Sequence, residues 1–512
     1  MKTSNNRPVW PFLGVGLGLV FMVRWVFQPS YELNPDSSAW ISSAISAACS
    51  DTPFWTLLTH SDSRPLVVLP LFLLELLGVP VTWFVADLVG VALWLVTTIF
   101  FYLILRRWLS NWQAFYFTAP LLVFQALHLE ADFMAYNSEH ICALMLTVGV
   151  WLLVRFEAAK KPLWQYVLAG FWLGMFPFAK MQIVPMGVVL GLFSAFYTFK
   201  QWRYWGVFVL FAGCVLPTVF ANLYYLQKDG IAAFWNDYFW NYYYYSFTKT
   251  YSELAIEQRF GLRFMVKIFY KTANLRVFWL GSAGLILVGT VAWWKTKNAK
   301  YRLISLPMYG FIALFFLTSL YAILQAGNLF LHYLLLLVVP LFLLIASLIL
   351  VFPFPKIKQM GLFYLLILGL EGANNIRRYI NHPPHLVPHY EVEIRDRIEK
   401  VVLPNQKMTI WGYADHFFVY SRITAGNRLS HTFWVYWPSP LRPYREHQFL
   451  TDLSQNQTEW FLDFSGSKVQ FNDKKMNHVY FPKIASYIRT HYQLTETQQG
   501  VQFYRRNIAN SK

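Results

Sequence analysis

Asp36 and Arg64 stand 28 residues apart in the stretch that follows the first apolar run of the chain. Asp36, in Asn34-Pro35-Asp36-Ser37, supplies a carboxylate that can take a proton from a hydroxyl as its oxygen attacks a carbon. Arg64, in Thr59-His60-Ser61-Asp62-Ser63-Arg64-Pro65-Leu66, supplies a guanidinium. Such a group grips two phosphate oxygens and stabilises the charge on a departing phosphate. Together they are the two charges needed to transfer a group off a phosphate held at a membrane surface. Each also has a plainer reading. Asp36-Ser-Ser-Ala before a helix through Ala47 fits an N-cap, and a cap would also fix the carboxylate. Arg64 beside an apolar run fits a snorkelling side chain, with His60 and Asp62 either supporting it or solvated.

Two further positions carry charge where apolar residues dominate. Glu139, in Ala135-Tyr-Asn-Ser-Glu139-His140, lies at the mouth of an apolar span, preceded by Glu130 and Asp132. Ionisable residues at span ends face water or a cavity. Lys180 interrupts Pro177-Phe-Ala-Lys180-Met-Gln-Ile; it can pair with a lipid phosphate or with Asp36, or simply anchor the interface. The aromatic run 234–245 reads most simply as a membrane-interface belt, and alternatively as a surface on which a sugar or polyprenyl chain stacks. The acids and histidines near Glu139 raise the question of a divalent ion. Their spacing matches no standard metal motif, and neither a metal nor another cofactor is expected.

These residues must be positioned by a membrane protein. The chain has 512 residues, 56% hydrophobic and 19% aromatic, with only 13% charged, against about a quarter in ordinary soluble domains. Apolar runs are expected to span at roughly 10–28, 81–105, 113–127, 140–154, 164–178, 182–199, 204–226, 277–294, 303–324, 329–351 and 359–372, about eleven in all. The run 66–79, with Pro70 and Glu75 inside it, reads as a juxtamembrane or partial helix. The formal charge of +17 would suggest nucleic acid in a soluble chain. Here the basic residues gather in short loops, at Arg106 and Arg107, Lys160 and Lys161, Lys200 and Arg203, and Lys356 and Lys358. These fall on one side of the expected spans, which makes that side the cytoplasm and nucleic acid a poor partner.

The opposite side then receives loops 29–80 and 227–276 and the polar tail. The expected organisation is a transmembrane domain over 1–372 and an extracytoplasmic domain over 373–512. In the tail, short β-like runs (Met408-Thr-Ile-Trp-Gly, Trp460-Phe-Leu-Asp-Phe) are divided by Pro, Asn and Gly, which fits one small α/β domain. Cys49, Cys142 and Cys214 form neither a disulfide framework nor a zinc motif. The first span lacks a cleavage site and reads as a retained anchor.

With these residues in view, the chain resembles the GT-C fold glycosyltransferases that use polyprenyl-phosphate sugars, the protein O-mannosyltransferase and lipid A aminoarabinose transferase group. That family has an Asp in its first outer loop and a basic residue before a Pro-containing tripeptide, matched by Asp36 and by Arg64-Pro65-Leu66. An acid in the second outer loop is matched by Ser138-Glu139-His140. Gly327-Asn-Leu-Phe-Leu-His332-Tyr333-Leu-Leu-Leu-Leu-Val-Val-Pro340 is similar to a His-Tyr element of bacterial members. Ile410-Trp411-Gly412 through Val419-Tyr420-Ser421-Arg422 is similar to a stretch of their outer domain. The family often has Asp-Glu where this chain has Asp36-Ser37, and Lys where Arg64 stands, which alters phosphate geometry.

The resemblance implies an all-α polytopic fold with a small C-terminal α/β domain, in the plasma (inner) membrane. It implies an inverting transferase that moves a sugar from a polyprenyl-phosphate donor to a lipid, glycan or protein acceptor on the outer face. Asp36 would be the base, with Arg64 and Lys180 on the phosphate. Glu139, His60, His332 and Tyr333 would orient donor and acceptor. The chain has no nucleotide fingerprint. A flippase or transporter of lipid-linked sugars would place charges near mid-span, whereas here they cluster at span ends; a ligase using a diphosphate donor is a nearer variant. A scaffold would leave the Asp36 and Arg64 spacing unexplained.

Overall fold

Among the described residues seven helices are long and apolar enough to cross a membrane. They are Trp10–Phe27, Trp83–Leu105, Ser138–Ala158, Met181–Leu226, Arg276–Lys295, Leu306–Leu324 and Leu331–Ile349. The chain is a multi-pass membrane protein. The computed structural model describes residues 9–59, 64–252, 254–295, 304–352, 354–381, 387–403, 406–469 and 471–507.

The count of about eleven spans is not reproduced, for local reasons. Asn111–Leu127 is a 17-residue helix and Leu163–Ala179 is short and interrupted. Phe354–Asn381 runs well beyond 359–372, and Glu371, Asn374 and Asn375 dilute its apolar character. The expected spans 182–199 and 204–226 lie in one 46-residue stretch. At 1.5 Å per residue that is about 69 Å, roughly twice the bilayer core. The stretch breaks at Arg203, where φ is 55° and ψ is −142°, within the basic turn that the sequence placed between two spans.

The chain divides into two compact units. The first comprises Met1–Gln28, Leu88–Trp235 and Tyr245–Pro383. Its centre is Leu335–Ile349, buried along its length. Leu163–Gly174 packs against the second half of the long helix through small residues. A Cβ on Gly170 would lie 2.0 Å from the Leu210 carbonyl, and one on Gly174 2.1 Å from that of Cys214. Only glycine lets the two backbones approach so closely, the usual device for packing helices in lipid. Buried Arg24 donates to the carbonyls of His128 (3.1 Å) and Phe133 (2.8 Å). Glu371 accepts from the N–H groups of Val277 and Phe278, satisfying the open end of Arg276–Lys295.

The second unit comprises Pro29–Asp87, Asn236–Tyr244 and Pro384–Lys512. It holds a five-stranded sheet: β1 (Lys407–Trp411), β2 (Thr424–Ala425), β3 (Trp460–Asp463), β4 (Tyr492–Gln498) and β5 (Val501–Arg506), in the order β2-β1-β3-β5-β4. β1 pairs parallel with β2 and β3; β5 runs antiparallel to β3 and β4. Both β-like runs named from the sequence became central strands. Met408, Ile410 and Leu462 pack on one face with Ile394, Ile398 and Phe417, while Trp411 and Phe461 pack on the other with Phe449, Leu453 and Ile484. Burial on both faces gives these strands continuous apolar runs rather than alternation. Helix Pro35–Ala48 is buried from Ser37 to Ala47. It packs against Pro65–Leu76, His416–Ser421 and β2 within this unit.

Candidate active site

Asp36 lies in the first turn of Pro35–Ala48, but it is not the cap. Asn34 is: its backbone is extended (φ −142°, ψ 128°) and its Oδ1 accepts from the Asp36 N–H at 2.9 Å. Pro35 explains the shift. It disfavours helical backbone at the residue before it and suits the first helical position, where an N–H has no partner to lose. Asn34 therefore caps, and Asp36 falls at the second helical position, near the positive end of the helix dipole. Its carboxylate accepts the Tyr413 hydroxyl at 3.1 Å.

Around this pair lies a set of titratable groups. His431 Nδ1 is 2.9 Å from Asp415 Oδ2, and the His431 ring lies 4.4 Å from that of Tyr413. Glu32 accepts from Ser38, whose oxygen also accepts the Trp83 indole N–H at 2.8 Å. Burial pushes Glu32 up to about 8, against the Ser38 hydrogen bond and with added repulsion from Asp415, Glu391 and Asp36. His416, with Glu32 at 3.9 Å and Glu391 at 3.8 Å, is pushed down to about 4 by burial despite Asp415. Glu32 is thus a protonated acid and His416 a neutral base near pH 7.

Arg64 immediately precedes helix Pro65–Leu76. Its Nη1 and Nη2 donate to the carbonyls of Asp237 and Tyr238, each at 3.3 Å, and its guanidinium lies 4.6 Å from the Tyr238 ring centre. These partners belong to the aromatic run. That run is a π-helical turn, Asn236–Trp240, followed by helix Asn241–Phe247. Trp235, Phe239, Trp240 and Tyr243 are exposed, as a belt requires, while Phe234, Asp237 and Tyr238 are buried. Asp237 takes Arg445 Nη1 at 2.8 Å and the Tyr444 hydroxyl at 3.1 Å. His60 lies outside the described residues.

The remaining candidates lie together in the first unit. Ser138–Ala158 begins one residue before Glu139, which is fully buried. Glu139 pairs with Lys180, and the Lys180 ammonium also donates to Ser138 Oγ at 2.9 Å. That ammonium sits 4.5 Å from the Tyr333 ring centre. The Tyr333 hydroxyl is 2.8 Å from that of Tyr245, which accepts from Asn328 Nδ2 at 3.0 Å. His332 is buried with its ring edge-on to Tyr333. A carboxylate, an ammonium and two phenols in one place can hold an anion and orient a hydroxyl.

Tyr413, Tyr245, Asn328 and Arg445 were not singled out from the sequence. Tyr413 had a local signal in the Trp-Gly end of a strand just before it, and Tyr245 and Asn328 lie inside the aromatic run and the His-Tyr element already named, whereas Arg445 had none. Among the described residues no group of three or more His, Cys, Asp or Glu side chains could hold a metal ion.

No protein-family model matches the sequence, and no curated protein sequence matches it either. Similar solved structures include ArnT from Cupriavidus metallidurans bound to undecaprenyl phosphate. It aligns over 97% of this chain and 97% of that one, at 12% identity and a TM-score of 0.53. ArnT in the apo state (13% identity, 97% and 98% of the two chains, TM-score 0.43) is also similar. So is the Archaeoglobus fulgidus oligosaccharyltransferase in complex with Zn and sulfate (12%, 96% of this chain and 73% of that one, 0.45). At such identity the likeness is one of fold alone: this chain, a helical multi-pass membrane chain ending in a small α/β domain, shares the fold of the ArnT structure bound to undecaprenyl phosphate.

Proposed function

We propose that this protein is an integral-membrane, inverting glycosyltransferase that moves a sugar from a polyprenyl-phosphate donor to a lipid, glycan or protein acceptor. The observation that carries the reading is the end-to-end likeness of fold to a protein crystallised with undecaprenyl phosphate. The chemistry assigned to the residues follows from their types. The acceptor oxygen attacks the anomeric carbon while Asp36 takes its proton. The bond from that carbon to the phosphate oxygen breaks, and its electron pair leaves on the polyprenyl phosphate. Arg64 and Lys180 offset the charge that develops there. Glu139 orients Lys180, and with His60, His332 and Tyr333 it orients donor and acceptor. In this reading transfer takes place at the outer face of the plasma membrane; the gathering of basic residues in short loops supports a side for 373–512 opposite the cytoplasm.

Purified protein incubated with a panel of polyprenyl-phosphate sugars and radiolabelled acceptor extracts tests this. Release of free polyprenyl phosphate coupled to labelled product is expected. Turnover of nucleotide sugars or diphosphate-linked donors alone would sink the reading.

A further inference from the structure

We propose that Tyr413 is a positioning residue for Asp36, holding its carboxylate in the orientation that proton transfer requires, so that the small sheet is a working part of the transfer site. The inference rests on Asp36 being the base.

The sheet order explains why a tyrosine arrives there. β1 is flanked by β2 on one side and β3 on the other, all parallel. Where strand order reverses in this way, the loops leaving the carboxyl ends part and open a crevice. Tyr413 lies two residues beyond the end of β1. Between them Gly412 has φ 136°, and a Cβ on it would come within 2.5 Å of Asn472 Oδ1 and 2.9 Å of Phe464. Only glycine suits that turn. Asn472 then grips Tyr413 from both sides: its Oδ1 accepts the Tyr413 N–H at 2.8 Å and its Nδ2 donates to the Tyr413 carbonyl at 3.1 Å. The ring is wedged between His431 at 4.4 Å and Phe471 at 5.3 Å. Backbone and ring are thus held independently of the hydroxyl, which reaches Asp36 Oδ1 at 3.1 Å.

A purely structural role for that hydroxyl would be to dock helix Pro35–Ala48. That task is already done elsewhere. Ser46 Oγ accepts the Ala425 N–H at 3.1 Å, the Trp83 indole donates to Ser38 at 2.8 Å, and the helix packs along Pro65–Leu76. What the hydroxyl adds is the orientation of one carboxylate, and small errors of orientation are costly to a reacting group. A carboxylate has about four acceptor directions, so a donor on one oxygen does not prevent proton uptake. Burial, and then the Asp36 charge, hold the Tyr413 phenol well above its ordinary range. It therefore stays a donor throughout: the acceptor's proton passes to Asp36, and the Tyr413 proton does not move.

The test pairs Tyr413→Phe, which keeps the ring and removes the hydroxyl, with a probe that needs no turnover. Tyr413→Phe is expected to lower kcat about 10- to 100-fold, the worth of one hydrogen bond to a charged group, with donor KM and thermal midpoint unchanged. With 3-fluorotyrosine at position 413, the fluorine resonance should titrate at lower pH in Asp36→Asn and be unmoved in Glu75→Gln. Wild-type kcat in Tyr413→Phe, or a loss that only follows a fall in thermal stability, overturns the inference. A fluorine titration indifferent to Asp36→Asn overturns it too. Absence of sugar transfer by wild type with the fluorine response intact leaves the contact standing, while it sinks the transferase reading and catalytic positioning with it.

Discussion

Arg422 closes on both carboxylate oxygens of Glu75, with Nη1 at 2.9 Å from Oε1 and Nη2 at 2.6 Å from Oε2, across 347 residues of sequence. Glu75 looks out of place inside an apolar run, yet its side chain is only 8% exposed, and its Oε1 also accepts the Val81 N–H at 2.7 Å. The pair ties helix Pro65–Leu76 to the turn after His416–Ser421, where Arg422 itself adopts a left-handed conformation (φ 55°). Glu75→Gln should lower stability by about 1–2 kcal/mol, the range for charge-assisted hydrogen bonds moderated by partial exposure. Thermal unfolding in detergent reads this. An unchanged midpoint would show that the pair is decorative.

Glu32 makes stability depend on pH. Its folded pKa, about 8, lies above the ordinary 4.5, so the folded state keeps a proton that the unfolded state has lost. Stability from this group is fully present below about pH 4.5 and is lost as pH rises to about 8, at up to about 1.4 kcal/mol per pH unit. Glu32→Gln keeps an amide near Ser38 without titrating. Its stability should fall less than wild type between those pH values. Parallel curves of unfolding free energy against pH for the two proteins would contradict the assignment.

The buried Asp237–Arg445 pair, with side chains 0% and 1% exposed, should be unforgiving. Arg445→Met strands a buried carboxylate, and breaking such a pair from one side costs about 3–5 kcal/mol. Removing both charges, in Asp237→Asn with Arg445→Met, should recover part of that loss. Denaturant unfolding of the two single variants and the double variant measures it, and strictly additive losses would mean the two charges do not interact.

What could be read from the sequence follows the range of the interaction that sets each feature. The span Trp10–Phe27 was expected at 10–28 because helix burial in lipid is written in consecutive residues. β1 and β3 were legible for the same reason, as short apolar runs between turn residues. The cap at Asn34 turned on the single intervening Pro35, a local effect easily overlooked beside a better-known capping pattern at Asp36. The partners of the charged residues were not legible. Tyr413 is 377 residues from Asp36 and Arg445 is 208 from Asp237, and nothing in either neighbourhood names the other. The break at Arg203, by contrast, was legible, because Lys200, Gln201 and Arg203 interrupt the apolar run between the two expected spans.

Arg64 is predicted to matter more to donor binding than to folding. Its hydrogen bonds to the carbonyls of Asp237 and Tyr238 are long, at 3.3 Å, and its stacking on Tyr238 is worth about 0.5–1 kcal/mol at a site that retains solvent. Arg64→Ala should raise donor KM at least about tenfold, the loss of a charge-assisted contact. Arg64→Lys should raise it less, because charge survives while the planar fork does not. Equal donor affinity in wild type and Arg64→Ala would remove this residue from the phosphate.

Asp36→Asn separates chemistry from architecture more cleanly now that the cap belongs to Asn34. The amide matches the carboxylate in shape and can still accept from Tyr413, so helix Pro35–Ala48 keeps its cap, its packing and its contact with the sheet. What it loses is one negative charge near the helix N-terminus, worth about 0.3–1 kcal/mol, and the capacity to take a proton. General-base catalysis contributes about 100- to 10,000-fold, so turnover should fall by that factor while the thermal midpoint barely moves. Asn34→Ala should behave in the opposite sense. It removes the cap, costing about 1 kcal/mol of stability, and leaves the carboxylate to act, so activity per folded molecule should fall far less. Measuring kcat and thermal unfolding on both variants decides the matter. Near-normal turnover by well-folded Asp36→Asn would end the case for Asp36 as the base, whatever the fold resembles.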